Sequence, residues 1–487
     1  MEQLAALAVY AYFAILFVLS LYGAHRYFIL FLYWKHYKRA PRRAAPAFDA
    51  ARAPSVTVQL PLYNELYVAR RVIESAARLR YPRHLLCVQV LDDSTDGTCE
   101  IARRAVRDLR AQGHRIDYYH RDDREGFKAG ALKAGLEQTD DELVAIFDAD
   151  FVPPADFLER VVPHFADGGV GMVQTRWGYL NRGYSLLTRV QSILLDGHFV
   201  LEHTARSRSG RFFNFNGTGG VFRRRAILEA GGWEGDTLTE DLDLSYRAQL
   251  AGWRFVFLPD VECPSELPVD VFGFKNQQHR WTKGSIQVGR KLLPKIWRST
   301  APLAVKLEAT FHLSANLSYL LLVMLSLLMP LSVLFRASAL ARGTLAWEAL
   351  IFGLTTASIF LFYVVAQREL YPDWKWRIRD IPFILSLGIG MCVNNAWAVS
   401  EALVGRDTPF VRTAKYRIES FADRWKGKAY RSSPKASFWL ELLLCAYMVL
   451  ALVMVVATRS WAALPYVGLF VAGFTYVFGL SVAHARR

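Results

Sequence analysis

Leu143-Val144-Ala145-Ile146-Phe147-Asp148-Ala149-Asp150 is the stretch that decides the fold. An unbroken apolar run of strand length reads as a strand buried on both faces, Leu143–Phe147. Two carboxylates flanking one small residue follow it directly. Working outward, Val56–Leu60 and Leu86–Leu91 are further β runs, and Glu65–Leu79 and Thr98–Gln112 carry helical patterns. Strands alternating with helices from Ser55 to about Pro268 make a βαβ series. That pattern predicts an α/β domain with a mostly parallel sheet. Such sheets bind ligands at the carboxyl ends of their strands. Three polar clusters fall at those ends: Tyr63-Asn64-Glu65, Asp92-Asp93-Ser94 and Asp148-Ala149-Asp150.

The composition places this domain beside a membrane. The 487 residues are 53% hydrophobic and 14% aromatic, yet carry a net charge of +15. No nucleic-acid module is readable, and the basic residues flank apolar runs. Anionic lipid plus a phosphate-bearing substrate accounts for the charge. The five cysteines show no metal-ligand or redox spacing and fit a reduced, cytosol-facing domain. Leu4–Gly23 is long enough to span a bilayer and has no cleavage signal, so it reads as a retained anchor. Arg26, Lys35, Lys38, Arg39, Arg42 and Arg43 follow, which puts the N-terminus outside and the domain in the cytosol. Pro41–Pro54 reads as a linker. Further spans are predicted at Leu313–Phe335, Leu350–Val365, Phe438–Thr458 and Trp461–Val482, with Ala304–His312 interfacial. Ile381–Val404 holds Asn394, Asn395 and Glu401 and precedes a basic segment, Gly405–Lys435. Laying Ile381–Val404 along the interface keeps that segment, and the terminal Arg486-Arg487, in the cytosol. The expectation is five spans, organised as an anchor (1–40), a catalytic domain (54–300) and membrane or interfacial helices (301–487) with a cytosolic loop at 405–436.

Asp148 and Asp150 can face one point, because alternate side chains leaving a strand point the same way. Hard oxygen ligands of this kind suit Mg²⁺ or Mn²⁺ bridging to a diphosphate; a plain strand-end turn would look the same. Asp92 and Asp93 are open to both readings, and Lys128 could pair with a phosphate. Thr239-Glu240-Asp241-Leu242-Asp243-Leu244-Ser245-Tyr246-Arg247 starts a helix. Thr239 is expected to cap it, and its acids suit the positive end of the helix dipole. One of those acids could equally serve as a general base. Gly217-Thr218-Gly219-Gly220 lacks a Walker lysine, so it is expected to let an acceptor approach the backbone.

Taken in order, the motifs are Gln-Leu-Pro-Leu-Tyr-Asn-Glu, Leu-Asp-Asp-Ser-Thr-Asp-Gly-Thr, Lys-Ala-Gly-Ala-Leu, Phe-Asp-Ala-Asp-Phe, Gln-Thr-Arg-Trp, Phe-Asn-Gly-Thr-Gly-Gly, Thr-Glu-Asp-Leu-Asp-Leu and Gln-Gln-His-Arg-Trp-Thr-Lys-Gly. This series resembles the processive family 2 glycosyltransferases, and within them the cellulose synthase-like mannan and glucomannan synthases. The likeness is close from about Pro54 to Trp297 and looser in the membrane part.

The resemblance implies a GT-A fold, a Rossmann-like mixed sheet inserted between transmembrane helices, and inverting transfer from a nucleotide sugar. By motif position, Tyr63, Glu65 and Asp93 would hold the base and ribose, with Asp92 beside them. Lys128 would contact the diphosphate, and Asp148 and Asp150 the nucleotide and a Mg²⁺ or Mn²⁺ ion. Asp241 would be the general base, with Glu240 near the acceptor and Asp243 supporting the helix, paired with Arg247. Gln277, Arg280 and Trp281 match the Gln-x-x-Arg-Trp motif: Trp281 would stack on the acceptor sugar and Arg280 reach the diphosphate. Trp177 is open between sugar stacking and plain packing. Phe410-Val411-Arg412-Thr413-Ala414-Lys415 is similar to the family's gating loop, so Thr413 and Lys415 would close over the nucleotide, although Ala414 stands where many relatives have Pro.

The implied activity is elongation of a β-linked polysaccharide from UDP-glucose or GDP-mannose, with translocation, at the plasma (inner) membrane. Its partners would be the nucleotide sugar, the growing glycan and the bilayer, with no nucleic acid. A glycolipid synthase is the alternative enzyme reading, and a transporter or inactive scaffold the non-enzymatic one.

Overall fold

The computed structural model describes residues 2–37, 46–335, 345–406, 408, 410–430 and 437–485. The predicted basic residues Lys38, Arg39, Arg42, Arg43, Arg431, Lys435, Arg486 and Arg487 lie outside these, as does the start of the predicted linker.

A seven-stranded sheet organises the chain between the apolar helices. Its strands are β1 (Val56–Leu62), β2 (Leu86–Asp92), β3 (Ile116–His120), β4 (Leu143–Ile146), β5 (Val170–Tyr179), β6 (Gly220–Arg223) and β7 (Arg254–Ser265). They lie in the order β3-β2-β1-β4-β6-β5-β7. β1 to β4 run parallel, as the βαβ pattern requires, and β5 pairs parallel with β7. β6 runs antiparallel to both its neighbours, β4 and β5, so the sheet is mixed. Every residue of β4 is buried, which explains its unbroken apolar run.

The parallel half brings the polar clusters to one edge. In β1, Gln59 faces β4: its carbonyl accepts from Phe147 N–H, one residue past the last β4 pairing. Pro61 points the same way, past the end of β4, so its missing N–H costs no ladder bond there. The chain thus leaves β1 at Tyr63 beside the exit of β4 at Asp148.

The helix expected at Glu65–Leu79 is shorter, Ala69–Ala77. Asn64 adopts a left-handed backbone (φ 55°), with its N–H on Ser94 Oγ and its side-chain oxygen on Thr95 N–H. That tie between the first two strand ends turns the chain away from the helix axis at Glu65.

Among the described residues, four helices are long and apolar enough to cross a membrane: Ala6–His36, Trp347–Leu370, Phe438–Ala457 and Trp461–Ala485. Leu7, Phe17, Trp439, Leu443 and Val453 on them are exposed, the pattern of side chains facing lipid. The predicted span at Leu313–Phe335 belongs to a bent pair, Leu303–Ser314 with Leu317–Ser332, meeting at 55°. The segment expected to lie along the interface, Ile381–Val404, is also bent, by 44° between Trp374–Gly390 and Cys392–Val404. By length and composition the described residues therefore admit four to six crossings, bracketing the expected five. All five cysteines are free.

Candidate active site

The carboxyl edge of the sheet opens into a cleft of about 190 Å³. Fourteen of the residues expected to bind substrate or metal or to act as base line it: Tyr63, Glu65, Asp93, Lys128, Asp148, Asp150, Trp177, Glu240, Asp241, Gln277, Arg280, Trp281, Thr413 and Lys415. Asp92 and Thr218 stand behind the wall. Asp92 is fully buried, taking Ser94 N–H at 2.9 Å and the Tyr118 hydroxyl at 2.7 Å. Thr218 is likewise buried, and its Oγ1 accepts Asp148 N–H at 2.9 Å. Antiparallel β6 makes that possible, because it starts where β4 ends and lays Gly217–Gly219 across the Asp148 turn.

Glu240 and Asp241 open the Glu240–Leu250 helix. The expected Thr239 cap is absent. Its side chain is pressed against Gly284 instead, and the carboxylate of Asp241 accepts Leu242 N–H at 2.8 Å. Asp243 pairs with Arg247 at 2.6 Å, as expected, and also with Lys291 at 2.9 Å. Burial and then the neighbouring Glu240 charge push the Asp241 carboxyl up to about 7, against the pull of Lys128. Burial also raises Glu240, with Lys128 opposing. Gly217 sits between the two charges: at φ 79°, a Cβ there would lie 3.0 Å from Asp241 Oδ2 and 3.3 Å from Lys128 Nζ.

Gly284 belongs to the long Val271–Arg298 helix, which carries Gln277, Arg280 and Trp281. A Cβ at Gly284 would come within 2.5 Å of Thr239. Gly284→Ala is therefore expected to cost about 1–3 kcal/mol through overpacking, read as earlier thermal unfolding in detergent. An unchanged unfolding temperature would mean that the two segments are not pinned together.

The other wall is cationic. Lys128 Nζ donates to Asp148 Oδ1 at 2.6 Å and to Gly217 O at 2.8 Å. Residues 410–415 fold over the cleft: Lys415 Nζ meets Asp150 Oδ2 at 2.6 Å, and Arg280 Nη2 donates to Thr413 Oγ1 at 3.0 Å. Arg412 pairs with Glu65 at 3.0 Å, and the Arg280 guanidinium lies 4.5 Å from the Phe410 ring centre. Burial pushes Glu65 up to about 8 despite Arg412. Arg124 lies on the Tyr63 ring, 3.2 Å from its centre, and Arg121 holds Asp93 through two hydrogen bonds of 2.8 and 2.6 Å. Arg121 and Arg124 had no individual signal in the sequence beyond charge; Phe410 and Arg412 fell within the gating-loop likeness, but their partners, Arg280 and Glu65, come from remote segments.

Trp177 is only 8% exposed, wedged between Phe151 and Phe199, with its ring 6.4 Å from that of Trp281. Packing holds it, and one edge still reaches the cleft.

Asp148 and Asp150 fit a hard divalent cation. Both line the cleft, both are carboxylates, and each uses one oxygen on a lysine ammonium, which holds the place of positive charge. Among the described residues, groups of three side chains with metal-ligand spacing lie elsewhere, so a cation here would complete its shell from substrate and water.

Residues 53–284 match the family described as "Glycosyltransferase like family 2". The chain is similar to "Probable glucomannan 4-beta-mannosyltransferase 4" of Oryza sativa subsp. japonica, 44% identical over 253 residues, covering 51% of this chain and 46% of that protein. It is also similar to "Glucomannan 4-beta-mannosyltransferase 2" of Arabidopsis thaliana, 42% identical over 277 residues, 55% of this chain and 52% of the other. The chain thus spans about half the length of the curated relatives it matches. Among solved structures, the mannosyltransferase PcManGT from Pyrobaculum calidifontis, in complex with GDP-Man and Mn²⁺, superposes with a TM-score of 0.55 at 23% identity. The match covers 83% of this chain and 99% of that one. That likeness shows the fold, the GT-A arrangement expected from the motifs.

Proposed function

We propose that this membrane protein, whose residues 53–284 match glycosyltransferase family 2, is an inverting hexosyltransferase that elongates a β-linked mannan or glucomannan from GDP-mannose. The observation that carries the reading is the juxtaposition around Gly217. A half-buried carboxylate raised to about 7, Asp241, faces the Lys128 ammonium and, beyond it, the Asp148–Asp150 pair. A hydroxyl attacking an anomeric carbon must lose a proton, and a carboxylate with that proton affinity can take it near neutral pH. The leaving diphosphate gains charge, which Lys128 and Arg280 are placed to neutralise. Asp148 and Asp150 would hold the divalent cation, which would supply further positive charge to the diphosphate.

We assign the remaining roles to residues of the walls. Tyr63, Glu65 and Asp93 receive the nucleoside, Trp281 stacks on the acceptor sugar with Gln277 and Glu240 beside it, and the Phe410–Lys415 loop covers the nucleotide. Guanosine is favoured because the chain is similar to relatives named as mannosyltransferases, and the PcManGT structure holds GDP-Man and Mn²⁺. The catalytic domain faces the cytosol at the plasma membrane, and the apolar helices pass the glycan outward.

Membranes carrying the protein, supplied with Mn²⁺ and a panel of nucleotide sugars, should release nucleoside diphosphate fastest from GDP-mannose and yield a long glycan. A chloroform-soluble product of one or two sugars would overturn the polymer reading. Release from none of the donors would overturn the enzymatic one.

A further inference from the structure

Behind the Asn216–Gly217 turn runs a partly buried polar line that the proposed chemistry does not use. The helix Leu186–Asp196 widens into a π-turn, Gly197–His203, before resuming as Thr204–Arg208. The π-turn brings positions five apart onto one face, so the rings of His198 and His203 stand 4.3 Å apart. Both reach the side-chain amide of Asn216: His203 Nε2 lies 2.5 Å from Oδ1, and His198 Nε2 lies 2.9 Å from Nδ2.

An amide oxygen only accepts and an amide nitrogen only donates. His203 must therefore carry its proton on Nε2, and His198 must keep Nε2 bare and its proton on Nδ1. The surroundings agree. His198 Nδ1 lies 3.0 Å from Glu202 Oε2, an acceptor, and His203 Nδ1 is buried without a partner, as suits a bare nitrogen. The reversed amide would force the His203 proton onto that unpartnered nitrogen. Burial holds the His203 imidazole well below its usual range, so it stays neutral. Glu202 is itself fixed by Arg206 at 3.2 Å, and Arg206 by Glu308 at 2.9 Å.

Asn216 is tied on its other side as well. Its backbone N–H donates to Gln174 Oε1 at 2.9 Å, and the next carbonyl, Gly217 O, accepts from Lys128. We infer that His198 and His203, locked in opposite tautomers on the Asn216 amide, are positioning residues that fix the Gly217 turn and with it the spacing of Lys128 from Asp241. This rests on the roles proposed above for those two residues.

The test compares His198→Leu and His203→Leu with His198→Gln and His203→Gln, since Gln can place an acceptor or donor where Nε2 stood. The Leu variants should lose about 10- to 100-fold in kcat with KM for the nucleotide sugar within about twofold, the scale of a small misplacement, and the Gln variants should recover most of it. Wild-type kcat in the Leu variants, a loss confined to KM, or Gln variants as poor as Leu would overturn the inference. An imidazole ¹⁵N spectrum of the wild-type protein gives a readout independent of turnover: one Nδ1–H and one Nε2–H tautomer is expected, assigned with the Gln variants. Matching tautomers or an exchanging imidazolium would overturn it. If the wild type turns over no nucleotide sugar, the functional reading falls, and the spectrum still decides the histidine pair.

Discussion

Asp241→Asn is expected to lower turnover by about 10²–10⁴-fold, the range for removing a general base, with KM for the nucleotide sugar within about twofold. Asparagine keeps the volume and can still accept Leu242 N–H through its oxygen, the bond Asp241 makes now. It also relieves the repulsion with Glu240 that helps push Asp241 up to about 7, so loss of fold is not the expected cause of inactivity. The pH profile gives the sign. A base works deprotonated, so wild-type kcat/KM should climb as pH rises through about 7 and fall away below it. Glu240 and Asp241 sit side by side and titrate as a pair. Glu240→Gln removes the negative neighbour, and the rising limb should move to lower pH. Rates that are flat across neutral pH, or an Asp241→Asn variant that keeps the wild-type limb, would assign the proton to another group.

The second large effect belongs to Asp150. Asp150→Asn is expected to lower turnover by about 10²–10³-fold, the scale for losing electrostatic stabilisation of a leaving group, and to raise the Mn²⁺ needed for half-maximal rate by at least about tenfold. The same change breaks the 2.6 Å pair with Lys415, freeing the Phe410–Lys415 loop. Lys415→Met separates the two consequences: it should impair turnover without raising the Mn²⁺ requirement. A shared, unchanged Mn²⁺ dependence in both variants would remove Asp150 from the cation site.

Much of the cleft was legible because strand periodicity is local. Asp148 and Asp150 follow a run whose burial on both faces dictates apolar residues throughout, and Asp93 and Glu65 stand past the ends of neighbouring strands. What escaped the sequence depends on pairing between remote segments. β6 is four residues long, too short for a period, yet its antiparallel seat beside β4 turns Thr218 into a support for Asp148. Thr239 looked like a cap because Thr before acids usually is one, but Gly284 lets the long helix approach so closely that the side chain is held elsewhere. The loop contacts of Arg412 with Glu65 and Lys415 with Asp150 join opposite ends of the chain. The pairing of His198 with His203 needed a π-turn, which five-residue spacing alone does not announce.

Digestion of the product tests the central claim most directly. The purified protein, given radiolabelled GDP-mannose and Mn²⁺, should make a polymer that an endo-β-mannanase cuts to short oligosaccharides, and the Asp241→Asn variant should make almost none. A mannosidic product that resists the β-specific enzyme, or equal polymer from wild type and variant, would contradict inverting transfer with Asp241 as its base.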